Sequence, residues 1–181
     1  MSDLQDPIYQ KVNEQMDPFK KILNKIPGFK GYMERQNRRD ADKLLRETIA
    51  QRFEECWQRI SSVQRDLISQ GEIGYVDDLE AAAIKLRTFA DRIRRATRGY
   101  SSLFEAVKIN EEELAKIYAY DATMLDMVDD VNRAIDNVEI SIGSDGLPAA
   151  IRNLTSVSRM AIQAFDRREE VILNFPTNAT S

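Results

Sequence analysis

One carboxylate stands in a row of apolar side chains. The positions Leu114, Ile117, Asp121, Met124, Val128, Val131, Ile135, Val138 and Ile142 recur at spacings of three and four, and Asp121 is the one ionisable residue among them. Such a stripe forms one face of a helix, so its carboxylate must find a partner or stay protonated. Tyr118 and Tyr120 flank it. One reading is an ion pair or hydrogen bond that fixes helix register, as polar residues in heptad seams do. The other is a pocket acid bordered by tyrosines, the centre of a small all-α enzyme or ligand-binding protein. If the preceding helix folds back as a hairpin, the residue facing Asp121 falls between 88 and 95, which nominates Arg92 or Arg95.

Other chemistry thins out quickly. Asp126, Asp129 and Asp130 resemble the carboxylate clusters with which some all-α enzymes hold magnesium, because magnesium needs converging oxygens. Their order is DxxDD, they lie off the apolar stripe, and no second cluster of matching spacing appears, so they read as a solvated helix face. Histidine is absent, which argues against Glu-x-x-His di-iron sites and against a His base. The single cysteine, Cys56, sits next to Trp57 within an apolar seam and reads as a small core residue. No catalytic residue, metal ligand or cofactor is assigned.

These residues need long helices to carry them. The chain has 181 residues, and its seven Gly and five Pro are confined to a few places, leaving long stretches rich in Ala, Glu, Arg, Leu and Ile; that composition favours an all-α fold. Pro7 and Pro18 each follow an Asp, the pattern of a cap with proline at the first helical position, and predict short helices over about 7–16 and 18–26. Pro27-Gly28 ends the second. A segment over 32–70 carries Ile49, Phe53, Cys56, Ile60, Val63 and Leu67 at alternating spacings of four and three. After the loop GEIGY, Asp77 or Asp78 caps a segment marked by Leu79, Ala82, Leu86, Phe89, Ile93, Ala96 and Tyr100, with an interruption at Gly99. Asn110 and Glu113 form a capping-box-like start for the Asp121 segment. A last helix follows the loop GSDGLP, over about 147–173.

Short loops between long helices imply antiparallel neighbours. The expected architecture is an elongated, coiled-coil-like, up-down four-helix bundle over 32–173, with an N-terminal helical arm and turn over 1–31 and a polar tail over 174–181. The N-terminus lacks a signal-peptide core, no window is a membrane span, and a lone cysteine fits a reducing compartment, so a cytoplasmic location is expected. Asn153 and Asn178 begin Asn-x-Thr triplets that are taken as chance.

Charge is unevenly placed. Residues 18–46 hold nine Lys or Arg against three acids, residues 110–145 hold ten acids against two basic residues, and residues 85–98 hold six basic residues against Asp91. With a net charge of −4 overall, and with the arginines of 85–98 expected beside Glu111, Glu112 and Glu113, nucleic acid is not the expected partner. The arm FKKILNKIPGFKGY sets Phe19, Ile22, Leu23 and Ile26 on one face and brings Lys20, Lys21, Lys25 and Lys30 with no acid. That composition suits a membrane surface or a partner protein; at roughly nine residues the helix is short for membrane affinity, and folding back on the bundle end is the expectation. Phe29 and Tyr32, with Arg35, Arg38, Arg39 and Arg46, mark a candidate interaction surface, since the stretch MERQNRRDADK is polar on every face and is not expected in a core before Leu44.

The wording of IPGFKGYMERQNRRDADKLLRE and of GYSSLFEAVKINEEELAKIYAYD resembles uncharacterised bacterial all-helical proteins with an IPG-aromatic-x-GY opening followed by an arginine-rich helix and ADKLLR. The likeness covers residues 26–47 and 99–121. It implies a bacterial, cytoplasmic, helical protein and brings no functional residue with it. More distantly, long helical hairpins behind an amphipathic N-terminus resemble the phage-shock membrane-stress proteins. Taken together, these features lead to a non-enzymatic helical bundle acting through protein contacts, as an adaptor or a homo-oligomeric scaffold. A peripheral membrane module using the arm is the alternative.

Overall fold

The computed structural model describes residues 7–13, 17–34, 38–106 and 111–174. Three short helices, α1 (Pro7–Asn13), α2 (Pro18–Lys25) and α3 (Phe29–Glu34), precede four long ones: α4 (Arg38–Ser69), α5 (Val76–Ala106), α6 (Glu111–Ser141) and α7 (Leu147–Leu173). Among the described residues there is no strand, and the seven helices pack together. At a rise of ~1.5 Å per residue, α4 is about 48 Å long.

Local signals account for most boundaries. The Asp17 side chain accepts a hydrogen bond from the Lys20 amide at 2.9 Å with Pro18 at the first helical position, the cap expected from sequence. Gly28 turns the chain after α2 with φ of +85°, a conformation that glycine adopts without steric cost. Gly31, by contrast, lies inside α3, so the corner is Pro27-Gly28 alone. Gly99 does not interrupt α5, which runs through it to Ala106. Asn110 lies outside the described residues.

Two hairpins form the body. α4 and α5 turn over a short loop containing a single 3-10 turn, Ile73–Tyr75, while α6 and α7 turn at Gly143. The hairpins lie side by side in the same sense. Near their starts α4 and α6 meet where Asp42 and Asp121 share Arg168. Further along, Arg59 donates to Asn132 at 2.8 Å and to Asp136 at 2.6 Å. Likewise Phe89 meets Phe165 and Arg92 meets Asp166 between α5 and α7. Thus α4 neighbours α5 and α6, and α7 neighbours α5 and α6. Helices α5 and α6 follow one another in the chain but, among the described residues, are not one of the closely packed pairs. The expectation that they form a hairpin is therefore corrected.

The seams read from spacing are buried within one chain: Ile49, Phe53, Cys56, Ile60 and Leu67 on α4, Leu79, Ala82, Leu86 and Ile93 on α5, and Met124, Val131, Ile135 and Val138 on α6 are all inaccessible to water. Phe53, Phe89 and Phe165 stack edge to face at centroid distances of 5.0 and 5.8 Å, joining α4, α5 and α7. The arm folds back over α6. Ile22, Ile26 and Phe29 are buried, and together their burial contributes about 5–9 kcal/mol. Arg52 of α4 donates to the Lys25 carbonyl at 2.6 Å and so closes the end of α2.

Candidate functional site

Where α4, α6 and α7 converge, four charged side chains form a buried network. Asp121 and Arg168 are fully buried, and Asp42 and Arg46 are 4 % and 3 % exposed. Arg168 Nε donates to Asp121 Oδ1 at 2.6 Å, and its Nη2 is shared between Asp121 Oδ2 at 3.2 Å and Asp42 Oδ1 at 3.0 Å. The other Asp42 oxygen pairs with Arg46, one turn along α4. Two carboxylates and two guanidinium groups make a chain of zero net charge.

Each helix supplies its member by the same periodicity that builds the core. On α7 the buried residues Leu147, Ile151, Leu154, Ser158, Ala161, Phe165, Arg168 and Ile172 recur at spacings of four and three. On α4 the seam of Ile49 and Phe53 extends backward by three and then four to Arg46 and Asp42. The buried face of a helix is set by position; a charged residue at such a position goes inside and needs a charged partner there. Burial pushes the Asp121 carboxyl above the usual carboxylate range, against the opposing pull of the Arg168 guanidinium. The neighbouring Thr123 hydroxyl donates to its own helix, at the Ala119 carbonyl, and takes no part.

Proton transfer to a substrate requires that the acid reach it, and Asp121 has no access to solvent. A polar groove does lie nearby between α6 and α7, lined by Tyr120, Gln163, Asp166, Arg167, Glu170, Val171 and Asn174. None of the four network residues lines it. Tyr118, which borders the acid in the pocket reading, packs edge-on against Phe29 at 6.0 Å and tilted against Phe19 at 6.2 Å, plugging the seam under the arm.

Several expectations change here. Neither Arg92 nor Arg95 faces Asp121, because among the described residues α5 packs against α4 and α7 and not closely against α6. Arg92 reaches across to Asp166 at 2.5 Å and to Glu169 on α7 and lies over the Phe165 ring; Arg95 is exposed. Arg94 pairs with Glu54 of α4. Phe29 and Arg46 are buried and offer no surface. Ala41 and Asp42 are also inside, ahead of Leu44, since Arg168 neutralises the one acid that their face presents. Arg35 falls outside the described residues, and of Tyr32, Arg38 and Arg39 only the helical backbone is described.

The aspartates Asp126, Asp129 and Asp130 face the arm, not only water. Lys21 pairs with Asp126, Lys25 reaches Asp126 at 3.1 Å and Asp129 at 2.7 Å, and Lys11 reaches Asp130 at 2.7 Å. Burial lowers the Lys25 pKa, but the hydrogen bonds to Asp129 and Asp126 outweigh it and leave the ammonium held above its ordinary value. Lys20 points outward and Phe19 is half-buried. Among the described residues no group of side chains is arranged to hold a metal ion, and no helix is long and apolar enough to cross a membrane. Comparison of the chain with protein-family models, with curated proteins and with solved structures finds no match.

Proposed function

We propose that this chain is a non-enzymatic helical protein that works through protein contacts, an adaptor built as an elongated, coiled-coil-like four-helix up-down bundle with its arm folded against one end. The observation that carries the reading is the placement of the exposed large apolar side chains. Of the five exposed large apolar side chains among the described residues, Ile68, Ile73 and Ile140, at 53 %, 66 % and 80 % exposed, lie at the end where both hairpins turn, while Ile84 lies further along α5 and Leu173 ends α7. Exposed apolar groups gathered in one place mark a contact site more often than scattered ones do. The long-helix seams are filled within one chain, which favours contact through the outer surface over an oligomer assembled by sharing seams. The buried charges are engaged with one another, which favours a structural use of Asp121 over a pocket acid. A cytoplasmic setting belongs to the same proposal, supported by a single buried cysteine.

The test is photo-cross-linking in cells from a reactive residue placed at Ile73, compared with one at the exposed Lys116 near the start of α6. An adduct formed from position 73, absent from position 116 and lost on Ile140→Asp, is the expected result. Equal labelling from both positions, or none from either, overturns it.

A further inference from the structure

We propose that α2 is a displaceable strap whose cationic, amphipathic face exchanges between the acidic stripe of α6 and an anionic lipid surface. The helix PFKKILNK carries Phe19, Ile22 and Leu23 on one face, followed by Ile26 at its end, and Lys20, Lys21 and Lys25 with no acid. That is the make-up of a helix that lies in a membrane interface. In the folded chain, the apolar face is covered by the core. Lys21 and Lys25 meet Asp126 and Asp129, and Lys11 of α1 meets the adjoining Asp130, so the three aspartates present to the arm a row of negative charge like that of anionic headgroups.

The two surfaces offer the strap equivalent interactions. Core burial of Ile22 is replaced by burial at the acyl boundary, and carboxylates are replaced by phosphates, so the balance of charge decides which surface holds the helix. The pairs on α6 are weak enough to exchange, because Lys21, Lys25, Asp126 and Asp129 keep 35 %, 23 %, 28 % and 52 % of their side-chain surface in water, and partly exposed pairs are weak and screened by salt. A bilayer attracts each lysine independently. Release also breaks the Arg52 contact to the Lys25 carbonyl. It pivots at Gly28, whose positive φ already sets a corner there. Lys20, which faces outward in the folded chain, provides the first contact with the lipid surface.

The experiment is co-sedimentation of the full chain with vesicles of phosphatidylglycerol and phosphatidylcholine in equal parts and with phosphatidylcholine alone, at low and high salt. Pelleting with the anionic vesicles at low salt, and not otherwise, is expected. The variant Asp126→Asn/Asp129→Asn/Asp130→Asn, with helix content checked by circular dichroism, should partition into those vesicles about tenfold more strongly. In Lys25→Cys/Asp129→Cys, tying the two thiols with a flexible bis-maleimide, which buried Cys56 does not intercept, should abolish the pelleting seen before cross-linking. Equal pelleting with phosphatidylcholine alone, no gain from the triple variant, or pelleting that survives the tie would each overturn the proposal. Polyphosphate offers charge without an apolar boundary; if it alone exposes Ile22→Cys to maleimide as fully as vesicles do, the lipid assignment fails.

Discussion

Two sets of carboxylate–cation pairs meet on α6 and behave oppositely. Asp121 is held by Arg168 in a dry seam, while about one and a half to two and a half turns further on Asp126, Asp129 and Asp130 are held by arm lysines at the surface. The chemistry is nearly the same and the surroundings are not. A buried charge whose partner is removed keeps its desolvation penalty with nothing to offset it, whereas an exposed one returns to water. The inner network therefore governs whether the helices assemble, and the outer pairs govern only where the arm rests.

The sharpest way to test that contrast is Arg168→Ala, which leaves Asp121 and Asp42 buried together. A loss of about 3–5 kcal/mol is expected in urea unfolding. Replacing the whole network by Asp42→Leu/Arg46→Met/Asp121→Leu/Arg168→Met should recover most of that loss, because no charge is then left inside. If the single and fourfold variants are equally unstable, packing rather than charge governs the site.

Cys56 provides a buried group that is neutral. Burial pushes its thiol up to about 12 from an ordinary value of 9.0, so between those values the unfolded chain loses its proton and the folded chain keeps it. Stability should therefore fall as pH rises from 9 towards 12, by about 1.4 kcal/mol per pH unit. Cys56→Ala should show a shallower slope over that range than the parent chain. Identical slopes would show that the thiol is not shielded in the folded state.

The arm should respond more gently. Asp17→Ala removes the cap of α2 and should cost about 1 kcal/mol, read as a lowered unfolding midpoint. Lys25→Gln should cost less than about 1 kcal/mol, and high salt should reduce the difference from the parent chain. The raised pKa of Lys25 gives the sign of its pH dependence: its contribution is present in full below 10.5 and is lost as pH rises through the higher folded value. A loss of several kcal/mol from Lys25→Gln, insensitive to salt, would erase the distinction between the two sets of pairs.

Much of this was legible in the residues. Spacings of three and four located the buried faces of α4, α5 and α6, and Asp17-Pro18 marked the start of α2. Heptad spacing tells which face of a helix is buried and not which helix covers it, so the partner of Asp121 was placed on α5 when it comes from α7. The needed signal was present. Asp42, Arg46 and Arg168 each fall on the seam of their own helix, two of one sign and one of the other beside Asp121, and charges at matching seam positions must find each other. Reading MERQNRRDADK as polar on every face missed this, because a side chain neutralised by a distant helix counts as apolar only once the fold exists. The exposed isoleucines had no sequence signal, since exposure follows from how the hairpins are laid side by side.

Arg168 stands 47 residues after Asp121 and 126 after Asp42. As the chain leaves the ribosome, α4 and α6 are complete while their two carboxylates still lack the guanidinium between them. Helix α7 is thus the one that permits α4 to settle, and the order of synthesis delays closure of this core until α7 has emerged.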